Sequence, residues 1–334
     1  MDNYNDEGTD KANWPTIFGS NLLYLIVLTL MIISSLTFGV QDIDDVSVNE
    51  FYFKTVVLEV AVIGLPALLY LLYKNADISR VIRLNRIKME EVFSVIGMAI
   101  FGYGIVIFVN YIWLWLISKI GMPIIQPNPP VETGGQYFVA LICIAVVPAI
   151  VEEFLFRGVI LRGYERMGRK AGVIMSGLLF ALLHMSIVSL PSIILLGIII
   201  SYLVQISDSI VTGMIYHFTN NAIAVTLVYI SNNLLGYLED VPMETPDNLA
   251  NMSPEVFWMG FIGIAMIMMF SVVMFILCFK AFKRSTHERR LRGQIEIDST
   301  FAVVRPMDMV PVIIAMVIII LLFILEIFTM ITMG

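Results

Sequence analysis

The sequence predicts an all-α protein, a polytopic bundle of transmembrane helices with about nine spans and eight as the alternative. Three observations carry this. Hydrophobic residues make up 59% of the 334-residue chain and charged residues 14%, against about 25% charged in ordinary soluble domains. Apolar runs long enough to cross about 30 Å of hydrocarbon, at about 1.5 Å per residue, recur along the whole length. Lys and Arg collect between alternate runs, as the positive-inside rule requires of a multi-pass protein.

The runs are taken in order. The first, 15–39, follows Asp2, Asp6, Glu7 and Asp10 with Lys11 as the one cation. That is not the basic n-region of a signal peptide, and the apolar stretch is too long for one, so it is expected to stay as a helix. With 52–73 and 92–118 it forms an N-terminal three-helix membrane region, 1–121. The Pro- and Gly-rich stretch MPIIQPNPPVETGGQ (122–136) is the clearest break in the chain. A core of four runs follows within 137–231: 137–163, 171–186, 190–205 and 209–231. The runs at 171–186 and 190–205 are short and read as joined by a partly buried turn. A two-helix C-terminal region, 254–334, holds 254–280 and 308–333. Ser253-Pro254-Glu255 reads as a helix start: a capping hydroxyl, a Pro where no N–H is needed, and an acid at the positive dipole end. The loops 232–253 and 281–307 are polar and read as mobile.

Charge fixes the expected orientation. Lys74, Arg80, Arg83, Arg86 and Lys88 form one basic cluster; Arg157, Arg162, Arg166, Arg169 and Lys170 form a second. Lys280, Lys283, Arg284, Arg289, Arg290, Arg292 and Arg305 form a third. Nine spans and a cytoplasmic N-terminus place all three inside, and the acidic linkers Asp42–Glu50 and Glu239–Glu255 outside. The basic residues are accounted for as topology signals, so nucleic-acid binding is not expected. The chain has two cysteines, Cys143 and Cys278, each within an apolar run. Neither a disulfide framework nor a thiolate metal site follows from them.

One segment departs from apolar monotony. YFVALICIAVVPAIVEEFLFRGVI carries the adjacent pair Glu152 and Glu153. A carboxylate at the centre of a membrane helix costs about 2.5–3.5 kcal/mol on insertion scales, so a pair calls for partners or a purpose. Glu153 and Arg157 are four apart in the favourable order for an ion pair. That would neutralise Glu153 and leave Glu152 for chemistry. Pro148 lacks an N–H and frees a backbone carbonyl near the acids. Two of the three histidines lie in apolar runs downstream, His184 in FALLHMS and His217 in MIYHFTNNAIA; His287 sits in the third basic cluster and reads as a solvated surface residue. A lone buried histidine is usually structural, but two that follow a buried acid pair are candidates for a shared site. Asn221, four after His217, shares its helix face, with Asn220 beside it. Counted from the basic ends, Glu152 and His217 lie roughly 15 and 14 Å deep and His184 roughly 21 Å. Phe180 most simply packs against its neighbours, and the isolated acids Glu59 and Glu326 read as snorkelling from helix ends.

Glu, His, His and Asn in a wet pocket suit hydrolysis. A carboxylate can take a proton from water while an imidazole orients it, and a second imidazole with an amide can donate to an oxyanion. The same Glu152, His184 and His217 could instead hold zinc with an open position for water. No H-E-x-x-H or G-x-S-x-G occurs to support a zincin or a serine hydrolase.

Glu152-Glu153-x-x-x-Arg157, Phe180-x-x-x-His184 and His217-x-x-x-Asn221 resemble, in order and spacing, the three motifs of the CPBP family. This family comprises type II CaaX prenyl endopeptidases and bacterial bacteriocin-processing or self-immunity (Abi) proteins. The resemblance covers about 137–231 and implies an α-helical intramembrane endopeptidase. It implies that Glu152 activates water with help from His184, that His217 and Asn221 form the oxyanion hole, and that Glu153 and Arg157 support the site. Both zinc-dependent and metal-free glutamate mechanisms have been described for the family; the metal-free one, with no cofactor, is expected here. The expected partners are the lipid bilayer and a membrane-associated protein or peptide substrate. The acidic, Ile- and Met-rich composition reads as that of a bacterial plasma-membrane protein, with its site opening to the cytoplasm. Two other readings stand beside the protease: a non-catalytic immunity or regulatory scaffold of the same fold, and a proton-coupled transporter using the buried acids.

Overall fold

The computed structural model describes residues 13–38, 47–119, 129–234, 254–293 and 303–333. These are helical apart from short connections: α1 (Ile17–Phe38), α2 (Val48–Tyr73), the single turn α3 (Ile78–Val81), α4 (Met89–Ser118), α5 (Gly134–Glu165), α6 (Arg169–Leu183), α7 (Leu190–Ser207), α8 (Ile210–Leu234), α9 (Pro254–Leu291) and α10 (Pro306–Met333). No strand occurs among the described residues. The expected all-α membrane bundle is what the chain forms.

Seven of these helices, α1, α2, α4, α5, α7, α9 and α10, are long and apolar enough to cross a membrane. The other two expected spans form helices that differ in an informative way. α6 has 15 residues, about 22 Å, and stops short of the hydrocarbon thickness. α8 has 25 residues but carries His217, Thr219, Asn220 and Asn221 near its middle. Their polarity keeps it below the apolarity of a lipid-facing span, and it runs inside the bundle against α4, α5 and α7.

The connection after α6 is the partly buried turn expected between the short runs. Met185 adopts a left-handed φ of 47°, which ends the helix directly after His184. The exposed backbone is then enclosed by protein: Glu326 of α10 accepts from Ile187 N–H at 3.2 Å, and Trp113 Nε1 of α4 donates to Ile187 O at 2.7 Å. Irregular backbone at this depth is tolerated only where protein satisfies it. Glu326 is therefore a structural acceptor, not the snorkelling acid expected.

The three basic clusters converge on one end of the bundle. Arg83, only 5% exposed, binds Glu165 at 2.6 Å and Asp208 at 2.9 Å, joining the α3–α4 connection to the ends of α5 and α7. Burial alone would lower its pKa, but the two carboxylates outweigh that and raise it. Arg289 of α9 pairs with Glu91 of α4 at 3.0 Å, and Lys88 with Glu288 at 3.3 Å. Arg162 donates to the carbonyls of Val81 and Arg80 and stacks on Trp14. At the same end, Asn21 of α1 accepts from Tyr164 and donates to Asp308 O at the start of α10.

α9 continues to Leu291, so the first part of the expected 281–307 loop is helix; its stretch from 294 to 302 lies outside the described residues. Most of the 232–253 loop, Ser253 of the expected cap, and much of the 122–136 break also lie outside them.

Candidate active site

The Glu pair occupies the middle of α5, in a seven-residue α-helical segment, Val147–Glu153, between two wide π-helical stretches, Leu141–Val146 and Phe154–Ile160. Such π-turns leave the regular hydrogen-bond ladder and are frequent at functional sites. Glu153 and Arg157 are fully buried and paired at 2.5 Å, the ion pair that the spacing predicts. Arg157 spends its other donors on Gly197 O at 3.0 Å and Ser201 Oγ at 3.3 Å of α7, and its guanidinium lies 4.6 Å from the Phe180 ring centroid. Every face of the buried cation is thus met, which its desolvation requires. The α7 acceptors sit far along the sequence and carry no motif, so sequence reasoning missed them.

His217 stands between the two acids. Its Nδ1 lies 3.0 Å from Glu153 Oε1, and its Nε2 faces Glu152 Oε2 at 3.7 Å. A carboxylate on one ring nitrogen fixes the plane and orientation of the imidazole and leaves the other nitrogen pointing into the site. Oε2 of Glu152 and Oε2 of Glu153 are buried without a hydrogen-bond partner among the described residues. Unsatisfied buried oxygens of this kind are what a bound water or substrate would complete.

α8 presents Gly213, His217 and Asn221 at four-residue intervals, one face of the helix. A Cβ at Gly213 would run into Glu153 Oε2 and the side chains of Val204 and Ile200, so only Gly lets α8 approach the acids this closely. Asn221 donates through Nδ2 to Ile144 O at 3.1 Å. Ile144 is four residues before Pro148, whose missing N–H cannot close a turn onto that carbonyl. Asn221 thus holds a carbonyl beside the break in the helix at Pro148, and this bond leaves the second hydrogen of the amide uncommitted.

His184 ends α6. Its Nδ1 is 2.9 Å from Phe180 O, and the residue is exposed where Glu152 and His217 are buried. Phe180 places it: the Phe180 ring centroid is 4.9 Å from that of His184 and 5.6 Å from that of His217, both edge-on. Phe180 packs against its neighbours as expected, and in doing so touches both imidazoles.

Glu59 is a further acid that sequence reasoning placed wrongly. It lies in the π-helical part of α2, Leu58–Gly64, which packs on the Glu152 segment of α5. Its Oε2 is buried without a hydrogen-bond partner among the described residues. It faces the site and does not snorkel to a helix end. Its neighbourhood with Glu152 is a contact between helices, for which one sequence holds no local signal.

Among the described residues no three His, Cys, Asp or Glu side chains gather into a metal-holding set, so Glu152, His184 and His217 are not grouped as ligands. The Nδ1 of His217 is already committed to Glu153.

Residues 134–223, which carry every motif residue of the site, match the family model for type II CAAX prenyl endopeptidases, described as Rce1-like. The match agrees with the CPBP-family resemblance that the motifs carry and is confined to this segment. The match begins at the first turn of α5 and ends two residues beyond Asn221, so the CAAX-protease-like part of the chain is α5 to the middle of α8. No curated protein matches the chain. No solved structure matches it either.

Proposed function

We propose that the protein is an intramembrane endopeptidase that cleaves peptide bonds of membrane-associated proteins or peptides with a water activated by Glu152. The observation that carries this is the Glu152–His217–Glu153–Arg157 chain: a buried carboxylate with an uncommitted oxygen, facing an imidazole held by a second carboxylate that is itself neutralised.

Glu152 accepts a proton from water as the oxygen attacks the carbonyl carbon, forming the new C–O bond. The negative charge on the carbonyl oxygen is met by the free amide hydrogen of Asn221 and by Nε2–H of His217. With Nδ1 engaged by Glu153, Nε2 is the ring nitrogen left to face the oxyanion. The proton held on Glu152 passes to the departing amine as the C–N bond breaks. His184, at the exposed rim, orients the water. The pre-set donors act on charge that develops only in the transition state, the condition under which they accelerate the step. The clustering of basic segments at one end supports a cytoplasmic position for that end, and with it the N-terminus.

Glu152→Gln tests this. Purified, folded variant reconstituted in lipid is expected to lose about 10²–10⁴-fold of the cleavage rate on a membrane-tethered peptide reporter, the usual worth of a general base. Unchanged cleavage by a variant that melts like the parent overturns the reading.

A further inference from the structure

A second polar cavity lies away from the acids. It has a volume of about 290 Å³ and sits at the basic end, between the start of α6, the last turns of α7 and the last turns of α9. Arg169, Lys283, His287 and Arg290 line it together with Gln205 and Tyr202. None of the described residues lining it is acidic. Glu288, next to His287 in sequence, is turned to Lys88 and Arg284 instead. Glu165, the acid nearest Arg169, is held by Arg83 and by Gln205 Nε2 at 2.8 Å.

This arrangement runs against like-charge repulsion. Burial and, after the opposing pull of Glu165, the charges of Arg290 and Arg83 lower the pKa of Arg169; Arg290 comes from a helix more than a hundred residues away in the chain. Side chains on a mobile surface separate to relieve such repulsion; here the backbone of α6 and α7 is stitched beneath them, with Arg169 Nη2 donating to Gln205 O at 3.3 Å and Gln205 Nε2 to Arg169 O at 3.0 Å.

Depth decides what the cavity meets. The apolar run of α9 ends at Phe279, and the lining residues of that helix begin at Lys283. At about 1.5 Å per residue the cavity starts roughly one turn beyond the hydrocarbon edge, at headgroup level. Tyr202 adds an amphipathic ring of the kind favoured at that level. Basic pockets between transmembrane helices at this depth take anionic headgroups.

We infer that this cavity between α6, α7 and α9 is a binding site for a phosphate group, supplied by an anionic phospholipid at the basic end of the bundle. The lipid would clamp the end of α7, whose Gly197 and Ser201 hold Arg157 deeper in the bundle. The inference does not depend on whether the acid site cleaves peptides.

The test is thermal unfolding of the full chain in zwitterionic detergent, titrated with phosphatidylglycerol, phosphatidylcholine or inorganic phosphate. Phosphatidylglycerol is expected to raise the melting temperature saturably and phosphatidylcholine to leave it unchanged. Lys283→Gln with Arg290→Gln removes two exposed cations from the cavity. At roughly fivefold per basic residue, the pair should weaken the apparent affinity about 25-fold. Lys170→Gln with Arg284→Gln removes two exposed cations from the same end but outside the cavity and should change it less than about threefold, given one decade per 1.4 kcal/mol. Equal stabilisation by inorganic phosphate, lost in the cavity pair, keeps the phosphate site and makes its source a soluble anion. Equal shifts with both lipids, no shift with any probe, or equal losses in the two variant pairs would overturn the proposal.

Discussion

At the scale of single residues, the site is built from groups that answer one another's unsatisfied bonds. Glu153 neutralises Arg157 and aligns His217; Asn221 holds the Ile144 carbonyl beside the Pro148 break. Asn221 therefore has a structural bond and, in the mechanism we propose, a catalytic one, and the two can be separated. Asn221→Ala leaves the Ile144 carbonyl unmet, which should cost about 1–3 kcal/mol, and removes the proposed oxyanion donor, whose loss should cost about 10²–10³ in rate. Pro148→Ala in the same chain returns an N–H to the helix beside that carbonyl. The double variant is expected to regain much of the lost melting temperature while its cleavage rate stays down. Recovery of both would show that Asn221 only anchors α8 to α5.

Among the elements, α8 is the one whose sequence is shaped by the site. Gly213 would gain about 1 kcal/mol of helix propensity as Ala, yet the added Cβ meets Glu153, Val204 and Ile200. Overpacking of this kind costs about 1–3 kcal/mol, so Gly213→Ala should lower the melting temperature and push His217 off Glu153, with a fall in cleavage rate. Gly263 of α9 offers the contrast: a methyl group there would meet nothing within 4 Å, and Gly263→Ala should leave both unchanged or slightly raise stability. α6 shows a different constraint. Its shortness puts an irregular turn inside the bundle, where Glu326 and Trp113 satisfy the backbone and His184 ends the helix beside Phe180.

Over the whole molecule, the basic end holds the helices in register. Arg83 ties the α3–α4 connection to Glu165 and Asp208, the ends of the two helices that carry Glu153 and the Arg157 acceptors. Arg83→Met strands two largely buried carboxylates, with an expected loss of about 3–5 kcal/mol. Differential scanning calorimetry in detergent would read this as a lowered melting temperature. Cleavage per folded molecule, measured well below that temperature, should change little, because Arg83 touches no group of the acid site. A variant as stable as the parent would show that the lock contributes no net energy.

The membrane class, the positions of the long apolar helices and the membership of each motif in a particular helix were legible in the sequence, because composition and a 3.6-residue period are local properties of the chain. So was the Glu153–Arg157 pair, since four residues of helix bring those side chains together whatever surrounds them. The motif order also carried the family resemblance that the match over 134–223 supports. What packing alone decided is which faces meet. Glu59 beside Glu152, Gly213 against Glu153, the α7 acceptors of Arg157 and the cation-lined cavity of α6, α7 and α9 are all contacts between distant segments. In lipid these faces are chosen by close packing and by the need to satisfy each buried polar group, not by hydrophobicity. No single helix encodes that choice.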